Sequence, residues 1–471
     1  MRPAYIASWL VIGLCAIVGD IPVVAQTSST ADTVTYGKTP EEYYPYSRFQ
    51  NPYNKFFIDT LAYPGYGRHI PEPDHINSVN IGFIGPIIRS ISESAGGPED
   101  IPYRVGQRTV RWDGFYASPL APWGIKMLQG AKLAVEQANA RGGYRDSIPY
   151  NLVVKNDNGQ WRASGRALID LAYKDSVWAV IGSMDGANSH VLIRVALKIE
   201  IPVMNTADTD PTFIETNIPW VIRNITDDRQ MSYLLADYAY KKLGLNRVAA
   251  LRESDRYGRM SIDEFRDAST RSGHPFLVEM QYQEGDTLFT TQLQRIKSMN
   301  AEGVVVWGNP REAGLIYNQM HALGMDLWMF CSDRVVSGTF LDTVGPDANK
   351  VAAGYPYNPT SKEPKYQAFV QAFQERFGDA PETYAAHAYD GAEMIIEAIR
   401  QVGLNRAKIR DALVRMRNYQ GVTGRKDLDA VYSNRSPAYL AVLENGHWRF
   451  CSRADLFGKT AQADGKMKSK E

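Results

Sequence analysis

The chain has 471 residues, more than one ordinary core holds, so two or more domains are expected. Lys plus Arg and Asp plus Glu are equal at 52 each, which leaves no basic excess to attract nucleic acid. Past the N-terminus no apolar run reaches about 18 residues, so no membrane-spanning helix is expected there.

The chain begins "MRPAYIASWLVIGLCAIVGDIPVVAQTSST". A basic Arg2, an apolar stretch over 6–18 and small residues at 23–25 read as a secretory signal peptide, residues 1–25, with export and cleavage. The competing reading, an uncleaved anchor helix, is shortened by Asp20 and Pro22. A lipidated Cys15 would follow Leu14, a poor residue at that place. Residues 26–77 form a polar leader and then an arm crowded with Tyr, Phe and Pro, a composition unlike that of a disordered linker. The arm is expected to bury rings such as Tyr43, Tyr46, Phe49, Phe56 and Phe57 on the main body; a docking surface for a partner is the alternative.

From residue 79 the pattern is regular. "VNIGFIGP" reads as a strand, and an insertion at 88–121 follows it as a long loop or small hairpin. "GIKMLQGAKLAVEQANARGG" is an amphipathic helix that stops at Gly142 and Gly143. Strands and helices then alternate through "YNLVVKND", "WRASGRALIDLAYK", "VWAVIG", "VLIRVALKIE" and "IPVMN", the signature of βαβ units and a parallel sheet. A second such run extends from "RVAAL" to "KVAAGYP". Strands at 79–86, 150–155, 177–182 and 201–204 should form one sheet, and those at 247–251, 276–281, 303–307 and 327–331 another. Two long helices follow, then a hairpin turning at Asn445 and Gly446, then a polar tail, 456–471.

Catalytic signatures fail on inspection. "GSMDG" has its serine at the wrong place for a nucleophile elbow. "FGKT" lacks the earlier glycine of a phosphate loop, where Arg453 stands, and "GFIGP" is no dinucleotide fingerprint. Seven histidines show no metal-ligand spacing, so no metal and no cofactor are expected, and the chain is read as no enzyme. What remains is an open α/β protein whose ligand lies beyond the C-terminal strand ends. "AVIGSMDGANSH" is such an end: a strand leaves through small and polar residues into a helix whose free N–H groups suit an anion. Asp185, Asn188 or Ser189 could equally cap that helix.

The order of these stretches, with "SDRYGR", "GVVVWG" and "FCSDRVV" before "AAGYPY", resembles the type I periplasmic solute-binding proteins, nearest the leucine/isoleucine/valine-binding group that serves ABC importers. The resemblance runs from 79 to 450. It implies two open, doubly wound parallel-sheet lobes joined by a three-segment hinge: lobe 1 from 78–223 and 357–421, lobe 2 from 224–356 and 422–455. It also implies a ligand between the lobes. Trp123 would cover it, with a packed core ring as the alternative. The run Asp185, Gly186, Ala187 stands where the family places carboxylate-holding serines, leaving backbone N–H groups for that task. Thr209 matches a family threonine, beside Asp208, and has a turn or cap as its other reading. Lobe 2 would supply Tyr257, Asn309 and Asp333, the last for an ammonium group or as a helix cap.

Asp185, Asp208 and Asp333 would make the cleft acidic, and Trp123 and Tyr257 aromatic, which suits an amino-bearing ligand and disfavours a dianion. The reading is a periplasmic, monomeric protein that hands a small amino-bearing molecule to ABC importer membrane subunits. A sensory or partner-presenting protein of the same fold is the alternative. The resemblance places Cys331 and Cys451 in the second lobe, where a disulfide is one outcome and free thiols the other.

Overall fold

Apolar strand runs and one-sided helices alternate along the chain and assemble into two sheets, each covered by helices. The computed structural model describes residues 67–87, 111–112, 115–116, 118, 120–214, 216, 218–428 and 431–458. The expected signal peptide, the arm rings Tyr43, Tyr46, Phe49, Phe56 and Phe57, most of the insertion and the end of the tail lie outside them.

The first sheet contains β1 (Val79–Gly85), β4 (Tyr150–Asn156), β5 (Val180–Ile181), β6 (Val203–Asn205) and β7 (Val221–Arg223), in the order β4-β1-β5-β6-β7. All its pairings are parallel. A small antiparallel pair, β2 (Arg111–Trp112) and β3 (Phe115–Tyr116), lies in the insertion. The second sheet contains β8 (Val248–Glu253), β9 (Glu279–Tyr282), β10 (Gly303–Trp307), β11 (Trp328–Cys331), β12 (Val351–Tyr355), β15 (Tyr439–Glu444) and β16 (His447–Cys451). Its order is β16-β15-β12-β11-β10-β8-β9, parallel except for the terminal hairpin. The two strand sets expected from sequence therefore form two separate sheets. The short β7 was not among the expected strands.

Within each sheet the parallel strands run second-first-third-fourth-fifth. The order reverses between β1 and β5 in one and between β8 and β10 in the other, which fixes two facing switch points. The first sheet carries α1 (Ala121–Ala140), α2 (Trp161–Tyr173), α3 (Gly186–Ile199) and α4 (Pro211–Ile214). The second carries α5 (Asp228–Asp237), α6 (Arg256–Arg271), α7 (Thr290–Ser298), α8 (Pro310–Ala322) and α9 (Gly338–Val344). The chain then supplies α10 (Pro364–Phe377), α11 (Thr383–Val402) and α12 (Arg406–Arg415), and α11 packs along α1. It goes back to the second sheet through the pair β13 (Tyr419–Gly421) and β14 (Gly424–Lys426), and ends at α13 (Arg453–Phe457). Asn445 and Gly446 both have positive φ, 51° and 72°, as a tight right-twisted hairpin turn requires.

The described end of the arm is held by polar contacts. Arg68 grips Asp411 through Nε and Nη2 (2.9 and 3.0 Å), and Glu72 accepts from the Tyr144 hydroxyl (3.0 Å) and Arg145 (2.7 Å). Asn405 donates to the Gly67 and Ile70 carbonyls (2.7 and 3.1 Å), so this end is tied to the helices of the first lobe.

Of the two outcomes left open for the cysteines, free thiols are the one found: Cys331 and Cys451 are both free and buried. They lie on β11 and β16 with β12 and β15 between them. At the usual strand spacing that is about 14 Å, and a disulfide bridges at most about 7 Å between Cα atoms.

The α1–α11 contact is backbone-close. A Cβ on Gly130 would lie 2.0 Å from the Ala385 carbonyl oxygen. Gly130→Ala must push these helices apart and should lower unfolding free energy by about 1–3 kcal/mol, read from urea denaturation midpoints at unchanged slope.

Candidate functional site

The polar exit from β5 is first a structural device. Gly182 has φ 141°, and a Cβ there would meet the Ile84 carbonyl oxygen at 2.3 Å, so only glycine passes. The polar residues that follow turn inward. Asp157 Oδ2 accepts from Ser164 (2.8 Å), Ser183 (2.6 Å) and the Asn188 amide (3.1 Å). Asn205 donates to the Ser183 carbonyl (2.9 Å) and Ser189 Oγ (3.1 Å), and accepts from the N–H groups of Ala207 and Asp208. This network fixes the C-terminal ends of β4, β5 and β6 to one another.

Asp185 caps α3, its carboxylate accepting the Ala187 N–H at 2.9 Å. That N–H is therefore committed to the cap. Gly186 lies beneath an ion pair between the lobes: a Cβ would come 3.1 Å from Asp210 Oδ2 and 3.4 Å from Arg256 Cδ. Arg256, at the start of α6, donates to Asp210 Oδ2 (3.0 Å from Nε), Thr212 Oγ1 (2.9 Å) and His190 Nε2 (3.1 Å). The small residues here admit an arginine from the facing lobe.

A second crossing lies nearer the hinge. Asp228 Oδ2 accepts from Thr209 (2.9 Å) and from Ser261 of α6. Burial, with Asp333 nearby, holds the Asp228 carboxyl well above its usual range. Asp208 is buried too; desolvation, and then Asp210 beside it, push its carboxyl up to about 7. Thus Gly186, Ala187 and Thr209 belong to caps and interlobe networks, while Asp208 accepts the Asp210 N–H within its own loop.

Five other expected residues gather round one side chain that sequence reasoning did not single out. Arg334 follows Asp333 in a short turn after β11 and is buried. Its guanidinium lies 3.6 Å from the ring centre of Tyr257 and 5.6 Å from that of Trp123. Nη1 donates to Asn309 Oδ1 (3.1 Å), and Nη2 is 3.8 Å from Asp185 Oδ2. Trp123 and Asp185 come from the first lobe, Tyr257, Asn309 and Arg334 from the second. Asp333 accepts from the hydroxyls of Tyr257 (2.8 Å) and Tyr384 (3.3 Å), and the Tyr384 ring tilts against Trp123 at 5.9 Å. Burial raises the Asp333 carboxyl, opposed by Arg334 and the two hydroxyls. Asn309 in turn holds Glu253 (3.1 and 3.2 Å), whose carboxyl burial pushes up to about 8, with Asp255 adding to it.

The cleft is thus an aromatic box with an acid and a cation side by side, and the acidic cleft expected from sequence carries its own positive charge. Among the described residues no group of His, Cys, Asp and Glu is placed to hold a metal. Arg334 was visible in "FCSDRVV", directly after the acid the resemblance pointed to. Tyr384, in the helix "ETYAAHAYDGAEMIIEAIRQVG", had no local signal at all.

The family model described as periplasmic binding protein matches residues 115–447. The chain belongs to this family. This periplasmic binding protein is 24% identical over 290 residues to Leu/Ile/Val-binding protein homolog 3 of Brucella melitensis biotype 1, covering 60% of this chain and 76% of that one. Its fold matches LivJ, the branched-chain amino acid transporter substrate binding protein of Streptococcus pneumoniae, crystallised with isoleucine. The TM-score is 0.67 and the identity 22%, over 79% of this chain and 98% of the other. It also matches a solute binding protein of Rhodopseudomonas palustris BisB5 in complex with 3,4-dihydroxybenzoic acid, with TM-score 0.66 and 18% identity over 82% and 100%. The resemblance to the leucine/isoleucine/valine-binding type holds. The periplasmic binding protein described here is a solute-binding protein, and its relatives bind rather than transform.

The crossing at Arg256 generates a pH prediction. His190 Nδ1 lies 2.8 Å from the Gly186 carbonyl and Nε2 faces Arg256. A carbonyl only accepts and a guanidinium only donates, so the ring is neutral with its proton on Nδ1. Burial lowers its proton affinity; Asp210 opposes this, while Arg256 and Arg194 add to it. The unfolded chain therefore takes up this proton first. Stability is lost as pH falls from about 6.5 toward the lower folded value. His190→Gln, which keeps an acceptor but cannot titrate, should flatten the acid limb of the melting temperature against pH relative to wild type.

Proposed function

We propose that this chain is an exported, monomeric solute-binding protein that captures a small amino-bearing molecule between its lobes and delivers it to the membrane subunits of an ABC importer. Residues 1–25 would direct it to the periplasm. Asp333 receives the ammonium group, Trp123 and Tyr257 cover the molecule, and Asn309 and Asp185 line its surroundings.

The observation that carries the reading is the position of Asp333. It stands at the end of β11, between both lobes, with two tyrosine hydroxyls fixing its oxygens and leaving lone pairs for a cationic donor. The relatives support the delivery step, since one is described as a branched-chain amino acid transporter substrate binding protein and another as an ABC transporter substrate-binding protein. Closure on the ligand would turn about the three chain crossings and form the Arg256–Asp210 pair across the rim.

A thermal-shift panel tests this. An amino-bearing ligand at a hundred times its Kd should add about 2.7 kcal/mol of stability, whereas sulfate and simple dicarboxylates should add none. Asp333→Asn should weaken the effective ligands by about 1–3 kcal/mol, the cost of one charge-assisted contact, measured by titration calorimetry on the folded variant. Stabilisation by anions lacking an amino group alone, with Asp333→Asn equal to wild type, contradicts both the ligand and the residue's role.

A further inference from the structure

We propose that Arg334 is the seat of a carboxylate on the captured molecule, held side-on by Nε and Nη2. This rests on the capture reading above and adds a second required group to the ligand.

Three observations point the same way. First, the guanidinium is buried and charged at every physiological pH, yet its Nε has no hydrogen-bond partner among the described residues. Second, the donors divide by edge. Nη1 is taken by Asn309, while on the edge formed by Nε and Nη2 the latter is 3.8 Å from Asp185 Oδ2, beyond hydrogen-bond reach, with the Tyr384 hydroxyl also beside the guanidinium. Asp185 Oδ1 is meanwhile committed to its cap on the Ala187 N–H. Third, this chain uses that same edge for carboxylates elsewhere: Arg68 on Asp411 at 2.9 and 3.0 Å, and Arg376 on Glu136 at 3.0 and 3.1 Å. The planar fork matches the two oxygens of a carboxylate, and a buried N–H without an acceptor is costly.

The consequence for ligand class is direct. Arg334 and Asp333 are adjacent and of opposite charge, so a zwitterion can satisfy both. A plain amine would bring a second cation beside Arg334 and leave its open edge unmet. The seat is supplied by the second lobe and faces Asp185, the N-cap of α3, whose Ala187 N–H is already bonded. The rings of Tyr257 and Trp123 hold the guanidinium plane in place.

Matched pairs separate the possibilities: L-leucine against 3-methylbutylamine, and L-phenylalanine against 2-phenylethylamine, with benzoate as a carboxylate lacking an amino group. Titration calorimetry on wild type, Arg334→Met and Arg334→Lys reads the ratio of affinities within each pair. In wild type each amino acid should bind roughly ten- to a hundredfold tighter than its amine, the effect of one charge-assisted contact. Arg334→Met should bring that ratio close to unity. Arg334→Lys, which keeps the charge without the fork, should retain part of it and guards against misfolding as the cause. Amines binding as well as amino acids in wild type, or a ratio unchanged in Arg334→Met, overturns the proposal. So does failure of every carboxylate to bind at millimolar concentration. Tight binding of benzoate alone supports the Arg334 seat while defeating the amino-group reading, so the two claims fail separately.

Discussion

A guanidinium enclosed between two lobes cannot lose its charge, so everything around it has to answer that charge. Arg334 lies between Tyr257 and Trp123, donates to Asn309 and sits beside Asp333 and Asp185. Removing such a charge from water costs several kcal/mol unless partners replace the solvent. The partners come from β11, α6, the start of α8, α1 and the cap of α3, which are parts of both lobes. The position of this one side chain therefore depends on how the lobes meet, and it biases them toward meeting. Asp333, fixed by the hydroxyls of Tyr257 and Tyr384, supplies the opposite charge from the same turn.

Around this centre the lobes are joined by contacts of different kinds. At the rim, Arg256 reaches Asp210, Thr212 and His190 while partly in water, where screening reduces its worth. Toward the hinge, Asp228 takes hydroxyls from Thr209 and Ser261 in a buried place where the carboxyl prefers its proton. Asp208 is similarly raised by burial. Such groups make the closed arrangement sensitive to protonation. A hinged binding protein needs its two forms to differ by little, so that ligand contacts decide between them.

The polar stretch after β5 shows how one short sequence can serve several ends. Its serines and asparagine satisfy Asp157 and Asn205, its aspartate caps a helix, and its glycine admits Arg256. Read alone, the same residues suit an anion seat equally well, because small residues at a helix start look alike whether a ligand or a facing side chain approaches. The weight placed on Ala187 comes from that ambiguity. The acidic character assigned to the cleft has a different origin. Asp185, Asp208 and Asp333 were legible one by one, but Arg334 was read as part of a motif rather than as a charge.

Sequence by itself determined the two sheets, all their strands but the short β7, and the terminal hairpin, because burial on both faces writes long apolar runs such as "GVVVWG" and because Asn445 and Gly446 suit one turn. It also determined the family, through the order of those elements. The resemblance to that family pointed to Trp123, Tyr257, Asn309 and Asp333, which the structure gathers round Arg334. Only the tertiary structure decided that Cys331 and Cys451 stand strands apart, that Tyr384 enters the cleft from a late helix, and that Arg334 fills its centre. Periodicity and local composition report what each residue does to its own element. Pairings between residues far apart in the chain depend on how two lobes face each other, and no local pattern carries that.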